Sequence, residues 1–205
     1  MIGIVDYGVG NLFSLGSSLK ALGADTVVTG DPEKLQQADR ILLPGVGAFG
    51  DAAKKLSQRG LDQLVLEQAK KGVPILGICL GMQLLLEESH EYGLYRGLGL
   101  IPGAVTPMEG RIPKELKIPH IGWNQLEFPE NKERSPLFKN LNPGDFVYFV
   151  HSYSGVDCEK YVSAWTEYGG PITAAVEKDN VFGCQFHPEK SGPVGLKILD
   201  AFCKL

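Results

Sequence analysis

The chain has 205 residues, 43% of them hydrophobic and 21% charged, which is enough apolar material for one ample core, so a single domain spanning residues 1–205 is expected. A formal net charge of −4, with the 20 Lys and Arg residues scattered rather than clustered, argues against nucleic-acid or membrane-surface binding. Four cysteines, at 79, 158, 184 and 203, form no C-x-x-C pair and no disulfide framework, so a reducing cytoplasm suits the chain and neither metal nor cofactor is expected.

Met1 is followed directly by Ile2-Gly3-Ile4-Val5, a first strand without the basic flank of a signal peptide, and no apolar run reaches the length of a membrane span. Residues 6–11 are a turn opening a helix that carries Leu12, Leu15, Leu19 and Leu22. Gly8-Val9-Gly10 begins like a dinucleotide fingerprint, but Phe13 stands at the third glycine position, which disfavours a nucleotide site. A second strand is predicted over 25–28. Asp31-Pro32 is a good helix start, and 40–43 is a third strand running into the glycine-rich loop 44–50. Two helical pieces broken near Gly60 fill 51–71. Strands alternating with helices up to Ser89 predict a mainly parallel sheet covered on both faces, with ligands bound at the carboxyl ends of its strands.

The stretch Pro74 to Leu84 reads as strand, sharp turn and helix, with Cys79 at the junction and glycines at 77 and 81 on either side. G-x-C-x-G in that setting is the pattern of a nucleophile elbow with sulfur in place of oxygen. The turn lifts the thiol above the sheet edge toward the first amides of the following helix, which favour a thiolate.

After His90 the texture changes to short β-like runs, at 98–105, 118–126, 146–150, 161–165, 172–177 and 181–186, predicted as antiparallel strands and hairpins. A closing helix over 194–205 presents an apolar face to the sheet, and 127–143, rich in Pro, Asn and charge, is the expected mobile loop. A cysteine nucleophile needs a base and a group that orients the base. Of the four histidines, His90 reads as surface, His120 as packing and His151 as a residue at the active edge. His187 is the strongest base, because Gln185-Phe186-His187-Pro188-Glu189 is a strand exit in which the carboxylate of Glu189 can sit beside the imidazole.

The set Gly77–Gln83, Pro44–Gly47 and Gln185–Glu189 resembles the class I, or triad, glutamine amidotransferases over nearly the whole chain. Asp6–Asn11, Pro119–Asn124, His151–Tyr153 and Glu189–Ser191 are similar to one branch of them, the glutaminase subunits of imidazole glycerol phosphate synthases. The resemblance implies a flavodoxin-like α/β fold and a Cys79-His187-Glu189 triad that hydrolyses glutamine through a thioester. It also implies an oxyanion site from the amides of Leu80 and of the loop at Val46 or Gly47, and glutamine contacts from Gly47, Leu80, Gln83, Glu91, Ser152 and Tyr153. A separate (β/α)8-barrel cyclase would receive the ammonia for histidine biosynthesis, with Asn11, Ser14, Trp123 and Lys190 at the docking face. The same triad would serve a glutaminase of another class I enzyme, such as one supplying pyridoxal phosphate synthesis. A cysteine peptidase of similar sheet and an inert binding module are readings from further afield.

Overall fold

The computed structural model describes residues 1–205. The first half alternates strands and helices: β1 (Ile2–Val5), α1 (Leu12–Ala21), β2 (Thr26–Thr29), the one-turn α2 (Pro32–Leu35), β3 (Arg40–Gly45), α3 (Phe49–Gln58), α4 (Leu61–Lys70), β4 (Ile75–Cys79) and α5 (Leu80–Leu85). Local signals set several of these boundaries. Asp31 accepts a hydrogen bond from the Glu33 amide at the start of α2, and Gly60 takes a left-handed conformation that separates α3 from α4. The second half is rich in strands: β5 (Glu88–Ser89), β6 (Tyr95–Arg96), β7 (Ala104–Pro107), β8 (His120–Gln125), β9 (Phe146–His151), β10 (Tyr153–Val156), β11 (Val162–Glu167), β12 (Pro171–Lys178) and β13 (Val181–Cys184), closed by α6 (Gly192–Cys203).

The central sheet has seven strands in the order β11-β12-β13-β4-β3-β1-β2. From β2 through β13 neighbours run parallel, while β12 and β11 are antiparallel additions at one edge. Alternation along the buried strands feeds two cores. Ile41 and Leu43 pack with Phe49, Leu56, Leu64 and Val65 on one face. Leu42 and Leu76 pack with Leu15, Leu19, Ile198 and Phe202 on the other. A four-stranded sheet, β10-β7-β5-β6, and the β8–β9 ribbon complete the architecture.

Two expectations are corrected. Residues 98–103 do not form a strand, because their amides are already committed. Leu98 donates to Leu84, Gly99 to Leu86 and Ile101 to Leu85, so the segment satisfies the carbonyls that the end of α5 leaves open. Residues 127–143, expected as a mobile loop, are pinned. Leu137 and Phe138 are buried in the core beneath α6, the guanidinium of Arg134 stacks on Phe128, and the Lys132 ammonium donates to the carbonyls of Glu159, Lys160 and Val162.

Where β4 gives way to α5 the helix lies hard against β3. A Cβ on Gly81 would lie 1.7 Å from the Leu43 carbonyl oxygen, and one on Gly77 would lie 2.6 Å from the carbonyl oxygen of Gly81. Only residues without a Cβ let α5 start directly against β3. Gly81→Ala is therefore expected to cost about 3 kcal/mol or more, read as a fall in the urea midpoint. An unchanged midpoint would mean that this approach can relax without loss.

Candidate active site

Cys79 ends β4 with φ 55 and ψ −112, a conformation rarely populated by a residue with a Cβ. The strain is held by the close approach of Gly77 and Gly81 on either side. Parallel pairing sets Gly45 opposite Cys79, so the end of β3 and the loop after it lie beside the thiol. On the other flank β13 runs parallel to β4 and ends at Cys184, which carries the chain out to His187 at the same sheet edge. The His187 amide donates to the Tyr148 carbonyl, and Ser191 Oγ donates to the His187 carbonyl at 2.7 Å, fixing the turn from which the imidazole projects.

The structure brings Cys79, His187 and Glu189 to one place. His187 Nδ1 lies 2.8 Å from Glu189 Oε1, with both side chains almost fully buried. The opposite ring nitrogen, Nε2, makes no hydrogen bond of good geometry within the protein but is close enough to Cys79 for the two charges to couple. Burial alone would push the imidazole down. The neighbouring Cys79 and the Glu189 carboxylate bonded to Nδ1 outweigh it and raise the pKa to about 9.

A cavity of about 570 Å³ opens over the thiol. Its walls include Val46, Gly47, Leu80, Gln83, Glu91, Ser152, Tyr153 and His187, so the residues expected at the oxyanion and glutamine positions come together, while Glu189 stands behind the ring. Glu91 is drawn inward by the Phe49 amide, which donates to its Oε2, rather than solvated at a helix end. Gln83 donates to the Tyr153 carbonyl at 3.2 Å and to Gln185 Oε1 at 3.0 Å, and Gln185 Nε2 in turn points at Cys79 Sγ from 3.9 Å. His151, kept neutral by burial that pushes its pKa down to about 3, donates from Nδ1 to the same Tyr153 carbonyl and is bonded through Nε2 to His120. His120 is packed between Phe149 and Tyr168, as its sequence setting suggested, and His90 pairs with Glu88 at the surface.

Sequence reasoning overlooked Gln185 and Tyr92. Gln185 was legible only as part of the strand exit. Tyr92 lines the cavity mouth with its ring edge toward Tyr153, and its positive φ of 54 between Glu91 and Gly93 carries no signal in the sequence. The residues expected at a partner face have a common setting. On the outward side of the β8–β9 ribbon, Ile121, Trp123 and Phe146 are exposed, with Trp123 across from Tyr148 and 52% accessible. The Lys190 ammonium sits 5.8 Å above the Tyr148 ring. The turn Pro188–Lys190 packs on α1, which follows Asn11, a residue whose side chain makes no capping hydrogen bond, and whose first turn carries Ser14 and the exposed Phe13.

A cysteine on a strained strand-to-helix turn thus lies beside a histidine–glutamate pair at the carboxyl edge of a parallel sheet. The sequence pattern of the glutamine amidotransferase class-I family matches residues 3–204, and the chain belongs to that family. It is 48% identical over 207 residues to the imidazole glycerol phosphate synthase subunit HisH of Wolinella succinogenes, covering 100% of each chain. It is 49% identical over 203 residues to the protein of that name from Caldanaerobacter subterraneus, covering 98% of this chain and 97% of the relative. Among solved structures it superposes on a glutamine amidotransferase with a TM-score of 0.76 at 18% identity, covering 100% of this chain and 99% of the other. PurLQS from Thermotoga maritima matches with a TM-score of 0.75 at 22% identity, covering 99% of this chain and 97% of that one. At those identities the likeness speaks for the fold.

The raised pKa gives a test independent of any substrate. His187 is expected to hold its second proton through neutral pH and to lose it as pH rises through about 9, followed by imidazole NMR. In Glu189→Gln the midpoint falls, because the charge that favours the imidazolium has gone. Equal midpoints in the two proteins would show that the carboxylate does not hold the ring's charge.

Proposed function

We propose that the chain is the glutaminase subunit of an imidazole glycerol phosphate synthase, acting in the cytoplasm with a separate cyclase subunit. The observation that carries the chemistry is the cavity over Cys79, where the thiol faces His187 with Glu189 behind it and the polar groups of Gln83, Glu91 and Ser152 converge. The near-half identity to subunits of that name, end to end, supports the choice within the class.

In this reading the proton of Cys79 already resides on His187, and the thiolate attacks the side-chain carbonyl carbon of glutamine. The carbonyl electrons move onto oxygen, where the amides of Leu80 and of Val46 or Gly47 receive the developing charge. His187 then gives its proton to the departing nitrogen, ammonia leaves, and a glutamyl thioester remains. Water attacks the thioester as His187 takes its proton; the carbon–sulfur bond breaks and glutamate is released. Glu189 holds the ring in the tautomer that faces sulfur and stabilises it when charged. Glu91 suits the substrate's α-ammonium, and Ser152 and Tyr153 suit its backbone end.

Ammonia set free in water is protonated and lost to synthesis, so the site calls for an acceptor docked beside it. The exposed apolar side of the β8–β9 ribbon, continued by Lys190 and the start of α1, is the surface we assign to the cyclase, a (β/α)8 barrel. Large exposed aromatic and aliphatic groups in one patch mark such faces.

Glutamine hydrolysis is expected to be low for the chain alone, low to moderate with a histidine-pathway cyclase, and high when the cyclase also carries its nucleotide ligand. Cys79→Ala abolishes it in all three states. Failure of the liganded cyclase to stimulate would overturn the assignment within the class, and cleavage of peptides but not glutamine would overturn the class of substrate. Trp123→Asp is expected to weaken assembly by at least about tenfold in titration calorimetry, as for a buried aromatic anchor, while leaving the free chain folded. Undiminished affinity would exclude the ribbon face.

A further inference from the structure

Tyr7 follows β1 and is buried, with 1% of its surface accessible, yet it lies outside the lining of the catalytic cavity. Its hydroxyl donates to the Pro44 carbonyl at 2.7 Å. The position of that bond is informative. The β1–β3 ladder pairs Ile2 with Arg40, Gly3 with Ile41 and Ile4 with Leu42, and goes no further. Two residues past its last rung, a buried carbonyl on β3 has lost the strand that would have satisfied it. A side chain supplies the donor instead.

Pro44 is the first residue of the stretch that leads to Val46 and Gly47 in the wall of the cavity. Because the peptide bond is planar, fixing the Pro44 oxygen fixes the plane of the Pro44–Gly45 unit and the direction in which the next amides leave it. No other side chain hydrogen-bonds the backbone from Gly45 to Ala48, and the next anchor is the Phe49 amide on Glu91. Gly47 has φ +98, and no atom lies near the place where its Cβ would be. At Gly45 the phenol fits closely: a Cβ there would lie 2.8 Å from Tyr7 Oη and 2.9 Å from the Gly81 nitrogen. Gly10, with φ +118, brings the turn after Tyr7 against the Pro44 ring, so the same turn holds the proline from a second side.

We propose that Tyr7 is a positioning residue of the oxyanion loop: its hydroxyl, bonded to the Pro44 carbonyl, sets the orientation of the amides at Val46 and Gly47 that meet the charge formed on the substrate. Burial, together with the nearby Cys79, pushes the phenol well above its ordinary pKa, so it remains a donor at neutral pH. Tyr7 does not line the substrate cavity, and its hydrogen bond reaches the site through the loop.

The inference rests on the glutaminase reading for its kinetic consequence but not for its structural one, and the test uses both. In Tyr7→Phe the ring that packs in the core is kept and the hydroxyl is lost. For the full chain with its cyclase, kcat for glutamine hydrolysis is expected to fall about tenfold with KM little changed, because an oxyanion contact is made only in the transition state and losing its support costs less than losing the donor itself. Alkylation of Cys79 by iodoacetamide, a displacement at carbon that forms no oxyanion, is expected to proceed at the wild-type rate. Hydrogen exchange at the Gly45 to Gly47 amides of the chain alone is expected to quicken about tenfold. An unchanged kcat, or kcat and alkylation falling together, would overturn the assignment in favour of no role or a merely structural one. Were the wild-type chain to hydrolyse no glutamine, the glutaminase reading would fall, and the exchange comparison would still decide whether Tyr7 holds the loop.

Discussion

The contact on which the rest of this structure depends is the approach of α5 to β3, where Gly81 lies against the Leu43 carbonyl with no space for a methyl group. That approach forces the chain to turn at Cys79 and holds the residue at positive φ, so the thiol stands at the mouth of the sheet and not within it. Neighbouring strands then deliver what the thiol needs. β3 brings Gly45 into register with Cys79 and hands on to Val46 and Gly47, while β13, parallel on the other side, carries His187 and Glu189 out at the same edge. That backbone contact, made possible by the lack of two side chains, thus sits where three separate segments meet.

Electrostatics at that point are selective. Two histidines border the cavity, and their surroundings drive them apart. His151 is buried, His120 and His187 add to the effect of that burial, and its pKa falls to about 3. His187 is buried as well, but Glu189 and Cys79 bear on it and raise it to about 9. Only one imidazole therefore carries charge near neutrality. The other holds the Tyr153 carbonyl together with Gln83, so a neutral donor shapes the pocket beside the charged imidazole. The remaining thiols are kept out of this chemistry by burial, which raises Cys158 to about 11 and Cys184 and Cys203 above their ordinary values.

Much of this was legible in the sequence because the features are local. G-x-C-x-G between an apolar run and a helical one, and His-Pro-Glu at a strand exit, are short patterns whose spacing fixes their geometry. The alternation of strands and helices up to Ser89 likewise sufficed for a parallel sheet. What was hidden depends on distant partners. Residues 98–103 have strand-like composition, and only the open end of α5 diverts their amides. Residues 127–143 have the composition of a loose loop, but Leu137 and Phe138 find the core and Lys132 finds three carbonyls from another part of the chain. Gln83 and Glu91 followed from family resemblance. Gln185 and Tyr7, whose bonds reach Cys79 and Pro44 from more than thirty residues away, could not be inferred from spacing.

The central claim is that Cys79 is the nucleophile of a site shaped for glutamine. It is tested most directly by treating the chain, with its cyclase present, with an electrophilic glutamine analogue and mapping the adduct by mass spectrometry. The account predicts one adduct, on Cys79, suppressed by glutamine and absent in Cys79→Ala, with Cys158, Cys184 and Cys203 unmodified. Labelling of another cysteine in preference, or none at all with the partner bound, would contradict it.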